Sequence, residues 1–506
     1  MPGKPLMVVG TGSYVGKSVT VTALCRIFAR HGYRTAPFKA QNMALNSYVT
    51  ATGGEIGRST AEQAFAAGIA PSVDMNPILL KPNSEVGSQV ILRGKPLGNY
   101  AARDYWKLKP QLFEIVQTSL RTLLEEYEVV VIEGAGSPAE INLKTHDLVN
   151  MRVACWAQAP VILVGDISLG GVFAWLYGTL ALLPAEERAL VRATLINKFR
   201  GDPTLLGDGL RQLEELTGIP VLGVVPDLGD IGIGEEDTVP ATHFGGWSQA
   251  ADVVRIGVVH YPYRSNFTDF DPFFQEPGVE VRYLTDPGRL DQCHVICLPG
   301  TKQTIGDLRW LRERGFERGL RQRVDAGAFL IGLCGGYQML GERLEDPTGV
   351  ESPQPEAPGL GFLPITTRFQ QEKTLTQVEA IHAQTGLPVR GYEIHMGESV
   401  PLGPSQPVVQ IRARNGQAID LLDGAIAPNE RVWGCYVHGL FDNEGFRRHF
   451  LSQVRAAFDL PGPERGAQAR TSPYDRLADA FERSIDMPLL WKMLNQTTPI
   501  MASDAL

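Results

Sequence analysis

The chain has 506 residues, of which 43% are hydrophobic and 20% charged, and its formal net charge at pH 7 is −9. This length is too great for one hydrophobic core and predicts several domains. The acidic balance argues against a protein that binds nucleic acid or an anionic membrane surface without specificity.

The predicted elements begin with a strand, a glycine-rich turn and a helix. Residues 10–18 read GTGSYVGKS, after an apolar run and before a helical pattern. Backbone N–H groups at Gly12 and Gly16 and the ammonium of Lys17 are suited to phosphate oxygens, and the hydroxyl of Ser18 is suited to Mg²⁺. The sequence therefore predicts a phosphate site here.

Four polar residues stand at the predicted ends of later strands in this half. Lys39 is the last residue of a predicted strand over residues 34–39 and is either a phosphate or carboxylate contact or a solvated side chain. Glu133 follows Val129–Ile132 and is interpreted as a second Mg²⁺ ligand, with Asp166 as its competitor. Asn197 could contact a purine base, although an asparagine at this position often only caps a turn.

Residues 41–93 are irregular, apart from one short predicted helix at 61–67. Such a long insertion at the edge of a sheet is usually functional, so we interpret it as the substrate region; the alternative is an additional surface subdomain. The other strands alternate with helices, including a long helix over residues 105–126. This alternation predicts a doubly wound parallel sheet.

The second half shows a new α/β pattern. We expect a first domain at 1–232, a linker at 233–252, a second domain at 253–450 and a helical tail at 451–506. In the second domain a single helix is predicted over residues 307–325, and in the tail an amphipathic packing helix over 473–491.

No apolar run is long enough to cross a bilayer and no signal peptide precedes the first strand, which predicts a cytoplasmic protein.

One of the six cysteines lies in a catalytic context. Cys334 lies in the sequence GLCGG, which follows a predicted strand and precedes a helix. This order is the pattern of a nucleophile elbow. The helix N-terminus favours the thiolate, whereas an ordinary buried cysteine would be inert. The other cysteines lack paired spacing, so neither a disulfide framework nor a zinc site is favoured.

A cysteine nucleophile needs a general base, and nine histidines are available. His438 follows the apolar run Val432–Val437, so it would emerge at the same edge of the sheet as Cys334. His395 follows a similar strand pattern and is the competitor. We prefer His438 because its strand ends there.

The first half resembles a known family of ATPases. The loop GTGSYVGKS, one residue longer in spacing than the common phosphate loop, and the strand ends PFK, IEGAGS and INK are similar to the dethiobiotin synthetase group of carboxylate-activating ATPases. The longer strings PFKAQNMALNS, EIGRSTAEQ, MNPILLKP and SQVILRGK resemble more narrowly the cobyric acid synthases of cobalamin biosynthesis.

The second half resembles the class I glutamine amidotransferases, in the group fused to cobyric acid synthases. GLCGGYQML matches the nucleophile motif at Cys334, CYVHGLF matches the histidine motif at His438, and LPGTKQT matches a loop that helps to form the oxyanion hole near Gly300. Most class I members follow the histidine with proline and glutamate, whereas this chain has Gly439 and Leu440. The residue that orients His438 is therefore not identified.

The two resemblances imply a glutamine-hydrolysing, ATP-dependent carboxylate amide ligase. L-Glutamine would supply ammonia, and MgATP would activate the b, d, e and g carboxylates of cobyrinic acid a,c-diamide, with or without its adenosyl group, on the way to cobyric acid. The alternatives are an a,c-diamide synthase-like enzyme acting on another carboxylate, or a regulatory P-loop ATPase with a non-catalytic amidotransferase domain. No nucleic acid and no membrane is expected as a partner.

Overall fold

The computed structural model describes residues 3–82, 87–229, 231–233, 241–352, 354–462 and 472–496. The chain forms two compact units. Unit 1 comprises residues 1–44, 56–233 and 471–506, and unit 2 comprises residues 45–55 and 234–470. Within the described ranges no helix is long and apolar enough to span a membrane.

A parallel sheet of six strands forms the centre of unit 1. The strands and helices up to residue 233 are β1 (Lys4–Gly10), α1 (Lys17–Arg30), β2 (Thr35–Phe38), β3 (Gln41–Met43), β4 (Ser47–Val49), β5 (Glu55–Gly57), α2 (Arg58–Ala66), β6 (Ile78–Pro82), β7 (Gly87–Leu92), β8 (Lys95–Ala101), α3 (Ala102–Glu126), β9 (Val129–Glu133), α4 (Met151–Ala157), β10 (Val161–Asp166), α5 (Val172–Leu182), α6 (Ala185–Arg188), β11 (Val191–Phe199), α7 (Gly207–Thr217) and β12 (Val221–Pro226).

The strand order of this sheet is β12-β11-β10-β1-β9-β2, and all neighbours are parallel. Helices cover both faces, because the strands are apolar on both sides and leave no surface for water. The doubly wound architecture predicted from the sequence is confirmed. Since parallel strands end at one edge, the loop after β1 and the ends of β9, β10 and β11 lie at the same edge of the sheet.

Much of the predicted substrate region belongs to a second, smaller sheet in unit 1, whereas residues 45–55 belong to unit 2. The strand order of this smaller sheet is β3-β6-β7-β8. Ala44, Leu79 and Ile91 form a separate small apolar cluster. The region is therefore an ordered subdomain, although residues 83–86 lie outside the described residues.

The C-terminal tail packs on α1 of unit 1. The predicted amphipathic stretch consists of two helices, α12 (Pro473–Ser484) and α13 (Met487–Asn495). Arg26 on α1 donates to Asp475 at 2.7 Å, and the ring of Trp491 lies 5.5 Å from that of Phe28. The apolar faces of both helices thus complete one side of the unit 1 core.

Unit 2 has its own six-stranded sheet. The elements are β13 (Val254–Val259), β14 (Arg264–Ser265), β15 (Val279–Leu284), β16 (Val295–Leu298), β17 (Gly300–Thr301), α8 (Thr304–Glu313), α9 (Phe316–Asp325), β18 (Phe329–Leu333), α10 (Gly335–Leu340), β19 (Arg343–Glu345), β20 (Glu356–Pro358), β21 (Ile365–Arg368), β22 (Thr374–His382), β23 (Pro388–His395), β24 (Glu398–Pro401), β25 (Val409–Arg414), β26 (Gln417–Asp423), β27 (Ala425–Ile426), β28 (Val432–Cys435) and α11 (Glu444–Ala457).

This sheet has the order β15-β13-β16-β18-β28-β27, with only the edge strand β27 antiparallel. An antiparallel sheet, β23-β22-β25-β26, lies in the same unit. A long 3-10 helix, Phe267–Gln275, follows β14. The strands β18 and β28 are neighbours, which brings the residues that follow them close together.

Two sequence-based boundaries differ from the structure. The helix predicted over residues 307–325 is two helices, because Gly315 adopts φ 80° and starts a new helix there. The strand predicted at Val432–Val437 ends at Cys435. Part of the predicted linker, residues 234–240, lies outside the described residues.

Candidate active sites

The phosphate loop of unit 1 is shaped by one glycine in particular. Gly16 is the N-cap of α1 and has a φ of 99°, a backbone conformation that residues with a Cβ rarely adopt. A Cβ on Gly16 would also lie 2.0 Å from Asn197 Nδ2. Around Gly12, in contrast, no atom lies within 4 Å of a Cβ position. The loop is therefore packed tightly on one side and open at Gly12.

Lys17 is directed back across this loop. Its Nζ donates to Gly12 O at 2.7 Å and to Gly136 O at 3.0 Å, and the residue is 8% exposed. Gly136 belongs to the turn after β9. The ammonium thus lies between the two loops that carry the predicted phosphate and metal residues.

Glu133 at the end of β9 accepts hydrogen bonds from three side chains. Ser18 Oγ donates to Oε1 at 2.8 Å, Lys39 Nζ to Oε1 at 3.0 Å, and Gln63 Nε2 to Oε2 at 2.5 Å. Burial would raise the pKa of Glu133, but the charge of Lys39 and the hydrogen bonds from Gln63, Ser18 and Lys39 hold it below its usual value. The structure thus brings two predicted residues, Ser18 and Lys39, to the ionised carboxylate of the predicted Glu133.

Sequence reasoning did not single out Gln63. It lies on α2, is completely buried, and its Oε1 has no hydrogen-bond partner among the described residues. A glutamine inside a short, mainly small-residue helix carries no distinctive pattern, so only its contact with Glu133 identifies it.

Asp166 and Asn197 have partners that explain their burial. Asp166 accepts from Lys198 Nζ at 2.9 Å and from Ser168 N–H at 2.8 Å. Asn197 Nδ2 donates to Val15 O at 3.0 Å, so this amide supports the phosphate loop. The contact of Asn197 with a purine base stays a prediction. Asp166 differs from Glu133 because it does not contact Ser18.

Cys334 in unit 2 lies in a strained turn between β18 and α10. Its φ of 52° and ψ of −112° fall outside the regions that residues with a Cβ normally adopt. The neighbouring glycines allow this turn: a Cβ on Gly336 would lie 2.0 Å from Leu298 O, and one on Gly332 would lie 2.6 Å from Gly336 C. Strained geometry and small neighbours are the features of a nucleophile elbow.

His438 lies three residues after β28, the neighbour of the strand that leads to Cys334, and is bonded to a carboxylate. His438 Nδ1 lies 2.6 Å from Asp269 Oδ2, and both side chains are at most 2% exposed. Asp269 Oδ1 also accepts from Gly439 N–H at 2.8 Å. His438 Nε2 is buried without a hydrogen-bond partner in the part of the chain that the structure describes. A ring with one nitrogen bonded to a carboxylate and the other without a bond has the arrangement of a histidine that donates and accepts protons in catalysis.

The carboxylate changes the acid strength of the histidine. Burial would lower the pKa of His438, but the charge and hydrogen bond of Asp269, with a further contribution from Cys334, raise it to about 10. The imidazole is therefore protonated at neutral pH. Sequence reasoning left this partner unidentified, because Asp269 lies far upstream in the aromatic 3-10 helix and not after His438.

His395, the competing histidine, has a different environment. Its ring stacks on Tyr436 at 3.8 Å, and its Nδ1 lies 2.9 Å from Gly397 O. Cys334 Sγ lies 3.5 Å from Ile394 O, so His395 follows a residue that contacts the thiol. His395 Nε2 also lies near a buried carboxylate, but 3.6 Å from Glu393 Oε1, whereas His438 Nδ1 lies 2.6 Å from Asp269 Oδ2; the shorter contact supports His438 over His395.

Gly300 lies against the same histidine. A Cβ at this position would lie 3.4 Å from His438 Cε1 and 2.9 Å from Ser265 O. A Cβ on Gly335 would lie 2.9 Å from Thr301 N. The loop after β16 thus packs closely on both the elbow and the histidine, where backbone donors for an oxyanion are expected.

Two protein families match the two units. Residues 6–238 match the CobQ/CobB/MinD/ParA nucleotide binding domain, and residues 255–446 match the CobB/CobQ-like glutamine amidotransferase domain. The first range contains the phosphate loop and Glu133. The second contains Cys334, His438 and Asp269.

Similar proteins extend over almost the full chain. A cobyric acid synthase of Chloroflexus aggregans is 48% identical and covers 98% of this chain and 100% of its own length. A cobyric acid synthase of Syntrophobacter fumaroxidans is 46% identical, and one of Sorangium cellulosum is 48% identical. Each alignment covers 97% of this chain and 98% of the relative's own length. Such identity over such length shows common descent and a common fold. The chain belongs to the cobyric acid synthase family.

Proposed function

We propose that this chain is a glutamine-hydrolysing, ATP-dependent amide ligase that converts cobyrinic acid a,c-diamide to cobyric acid in cobalamin biosynthesis. Unit 2 would release ammonia from L-glutamine, and unit 1 would use ATP to activate the b, d, e and g carboxylates and join them to that ammonia. The similar proteins named cobyric acid synthase support this substrate. The cytoplasmic location expected from the sequence stays a prediction.

One observation supports the proposal that unit 2 releases ammonia from glutamine. Cys334 holds a strained backbone at the elbow, and the His438 ring is bonded to Asp269 at 2.6 Å while its other nitrogen is buried and has no partner among the described residues. A protein that used this domain only for binding would have no reason to maintain a strained cysteine, since the strain costs stability. We therefore assign Cys334, His438 and Asp269 to a catalytic triad.

In this mechanism Cys334 Sγ attacks the side-chain amide carbon of glutamine. His438 Nε2 holds the thiol proton and transfers it to the departing nitrogen, so ammonia leaves and a glutamyl thioester forms. Water then attacks the thioester, His438 takes its proton, and glutamate leaves as the thiol is restored. Asp269 holds the ring orientation and stabilises the imidazolium, and backbone N–H groups near Gly300 bind the oxyanion.

In unit 1 a carboxylate oxygen of the substrate attacks the γ-phosphorus of ATP, which gives an acyl phosphate and ADP. Ammonia then attacks the acyl carbon, inorganic phosphate leaves and an amide remains. The backbone of the phosphate loop at Gly12 and Gly16 and the ammonium of Lys17 bind the phosphate oxygens. Lys39, already 3.0 Å from Glu133, adds a second positive charge at the same edge of the sheet.

Ser18 and Glu133 fit a Mg²⁺ ion. Their oxygens lie 2.8 Å apart, and the carboxylate is held ionised by Lys39 and its hydrogen bonds. A hydroxyl and one carboxylate are a usual protein contribution to Mg²⁺ bound with ATP. When bound, the ion would neutralise charge on the phosphates. Asn197 remains our proposed contact for the purine base.

The experiment that tests this function is mass spectrometry of the corrinoid product. The purified protein is incubated with cobyrinic acid a,c-diamide, ATP, Mg²⁺ and glutamine labelled with nitrogen-15 in its side-chain amide. The expected product carries one label at each of the b, d, e and g positions. An unchanged corrinoid with ATP hydrolysis would favour the regulatory ATPase. In a parallel incubation with cobyrinic acid that carries no amides, labelling at only a and c would favour the a,c-diamide synthase.

A further inference from the structure

A short segment from the first half of the sequence is part of unit 2. It consists of Leu45–Glu55 and contains β4. Several of its residues are at most 1% exposed: Asn46, Ser47, Val49, Thr50 and Glu55. A surface connection would be largely solvated, so these residues belong to the interior of this unit, whereas Ala51 and Thr52 in the turn are exposed.

The segment is fixed to unit 2 at its far end by a buried ion pair. Lys373 Nζ donates to Glu55, and their side chains are 4% and 0% exposed. Gln377 Nε2 donates to Val49 O. A tight turn connects these points, because Thr50 N–H donates to Gly54 O at 2.7 Å. The segment therefore has a fixed position relative to strand β22.

The near end of the segment contacts the helix that carries Asp269. Ser47 N–H donates to Asn266 Oδ1 at 3.0 Å, and both residues are at most 2% exposed. Asn266 precedes the 3-10 helix with φ 52°, and its carbonyl accepts from Asp269 N–H at 3.2 Å. The bond from Ser47 thus fixes the residue that sets the first turn of this helix and the position of Asp269.

The same segment also reaches His438, through Tyr392. Tyr392 OH donates to Ser47 O at 3.3 Å, and the Tyr48 ring lies 5.3 Å from the Tyr392 ring. Tyr392 stacks on His438 with 5.2 Å between the ring centres and 19° between the planes. Their backbones also form a pair of hydrogen bonds, of 2.8 and 3.1 Å. The ring face of His438 is therefore covered by a residue that the segment holds.

We propose that Leu45–Glu55 is a positioning segment for ammonia production, in which Ser47 acts through Asn266 on Asp269 and Tyr48 acts through Tyr392 on His438. Neither Ser47 nor Tyr48 contacts a reacting atom, so both are positioning residues. The inference rests on the proposed triad. It means that the glutamine site requires a part of the chain that precedes the amidotransferase sequence.

The first test replaces Asn266 by glycine, which retains the left-handed backbone and removes only the acceptor for Ser47. Asp459→Gly is the matched control, because Asp459 also has a left-handed φ, of 53°. The readouts are kcat and KM for glutamine hydrolysis over a range of pH and the rate of amidation from added ammonia. We expect kcat to fall about tenfold in Asn266→Gly, which corresponds to the loss of about 1.4 kcal/mol of transition-state stabilisation. The alkaline limb of the pH profile for glutamine hydrolysis should shift to lower pH, while amidation from added ammonia is retained. The control Asp459→Gly should keep both activities at the wild-type level.

The second test changes the segment itself. Tyr48→Leu keeps an apolar side chain and removes the aromatic contact with Tyr392; we expect lower kcat for glutamine with KM little changed. If both variants act on the same catalytic pair, the fold-decrease in kcat of the double variant should be smaller than the product of the two single fold-decreases. If Asn266→Gly does not fold, as judged by its melting curve, Tyr48→Leu alone decides.

The proposal is overturned if the folded variants hydrolyse glutamine with the wild-type rate and pH profile. It is also overturned if glutamine-dependent and ammonia-dependent amidation fall equally, since the segment would then be merely structural. Failure of the proposed triad is distinguishable, because Cys334→Ala would in that case hydrolyse glutamine as fast as the wild type.

Discussion

Replacement of Asp269 by asparagine tests the triad most directly. The asparagine side chain has nearly the same shape, but it lacks the charge that opposes the effect of burial on His438. Asp269 accepts two hydrogen bonds, from His438 Nδ1 and from Gly439 N–H, and an asparagine amide has only one acceptor atom for them. Asp269→Asn should therefore lower the pKa of His438 and disturb the orientation of its ring.

The expected effect of Asp269→Asn on glutamine hydrolysis follows from the pKa of His438. Its rise from 6.5 to about 10 corresponds to roughly 5 kcal/mol in favour of the charged imidazole. We expect kcat for glutamine hydrolysis to fall by about 10²–10⁴, which is the usual contribution of a positioned acid and base. The alkaline limb of kcat/KM, which we expect near pH 10 in the wild type, should move to clearly lower pH, because burial then lowers the pKa of the imidazole with only the contribution of Cys334 against it.

The same pKa makes a prediction about stability. Since the folded-state pKa of His438 is raised, the stabilisation from its charged form is complete below about pH 6.5 and is lost as the pH rises to about 10. Urea unfolding at several pH values should show the largest difference between wild type and Asp269→Asn in acid, and little difference near pH 10.

The assay measures glutamate release from glutamine beside amidation from added ammonia. Asp271→Asn, on the same 3-10 helix, is the matched control and should leave both activities unchanged. A folded Asp269→Asn variant with a wild-type rate and an unmoved alkaline limb would refute the assignment of Asp269 to the triad.

The remaining predictions separate the two halves of the reaction. Cys334→Ala should abolish glutamine-dependent amidation and retain most of the ammonia-dependent rate; loss of both in a folded variant would contradict this division. Lys17→Ala should remove amidation with either nitrogen source, while trapping of the glutamyl thioester on Cys334 persists, as mass spectrometry of the protein would detect. Glu133→Gln should lose amidation at every Mg²⁺ concentration, whereas Asp166→Asn should be milder and partly rescued by added Mg²⁺. The opposite order in a Mg²⁺ titration would transfer the metal role to Asp166.

The sequence itself determined the architecture and the main reactive residues. Apolar runs of strand length, alternating with helices, are sufficient for two α/β sheets, because burial on both faces requires such strands. Gly16, Lys17 and Cys334 were identified because each lies in a local motif whose strand, turn and helix are consecutive in the chain. His438 was found in a similar way, from the strand that precedes it.

Only the tertiary structure decided which residues support these motifs. Asp269 reaches His438 from a helix far upstream, and Gln63 reaches Glu133 from α2. Neither contact leaves a pattern in the sequence, because sequence patterns record the order of residues along one element and not the approach of two distant elements.

The segment Leu45–Glu55 is the clearest case. Its irregular, polar sequence was assigned to the substrate region of the first domain, since linear boundaries keep neighbouring residues in one domain. The structure shows it in unit 2, where Ser47 N–H is bonded to Asn266 and Glu55 is paired with Lys373. A buried carboxylate and a buried backbone donor need partners, and those partners come from parts of the chain that are distant in sequence.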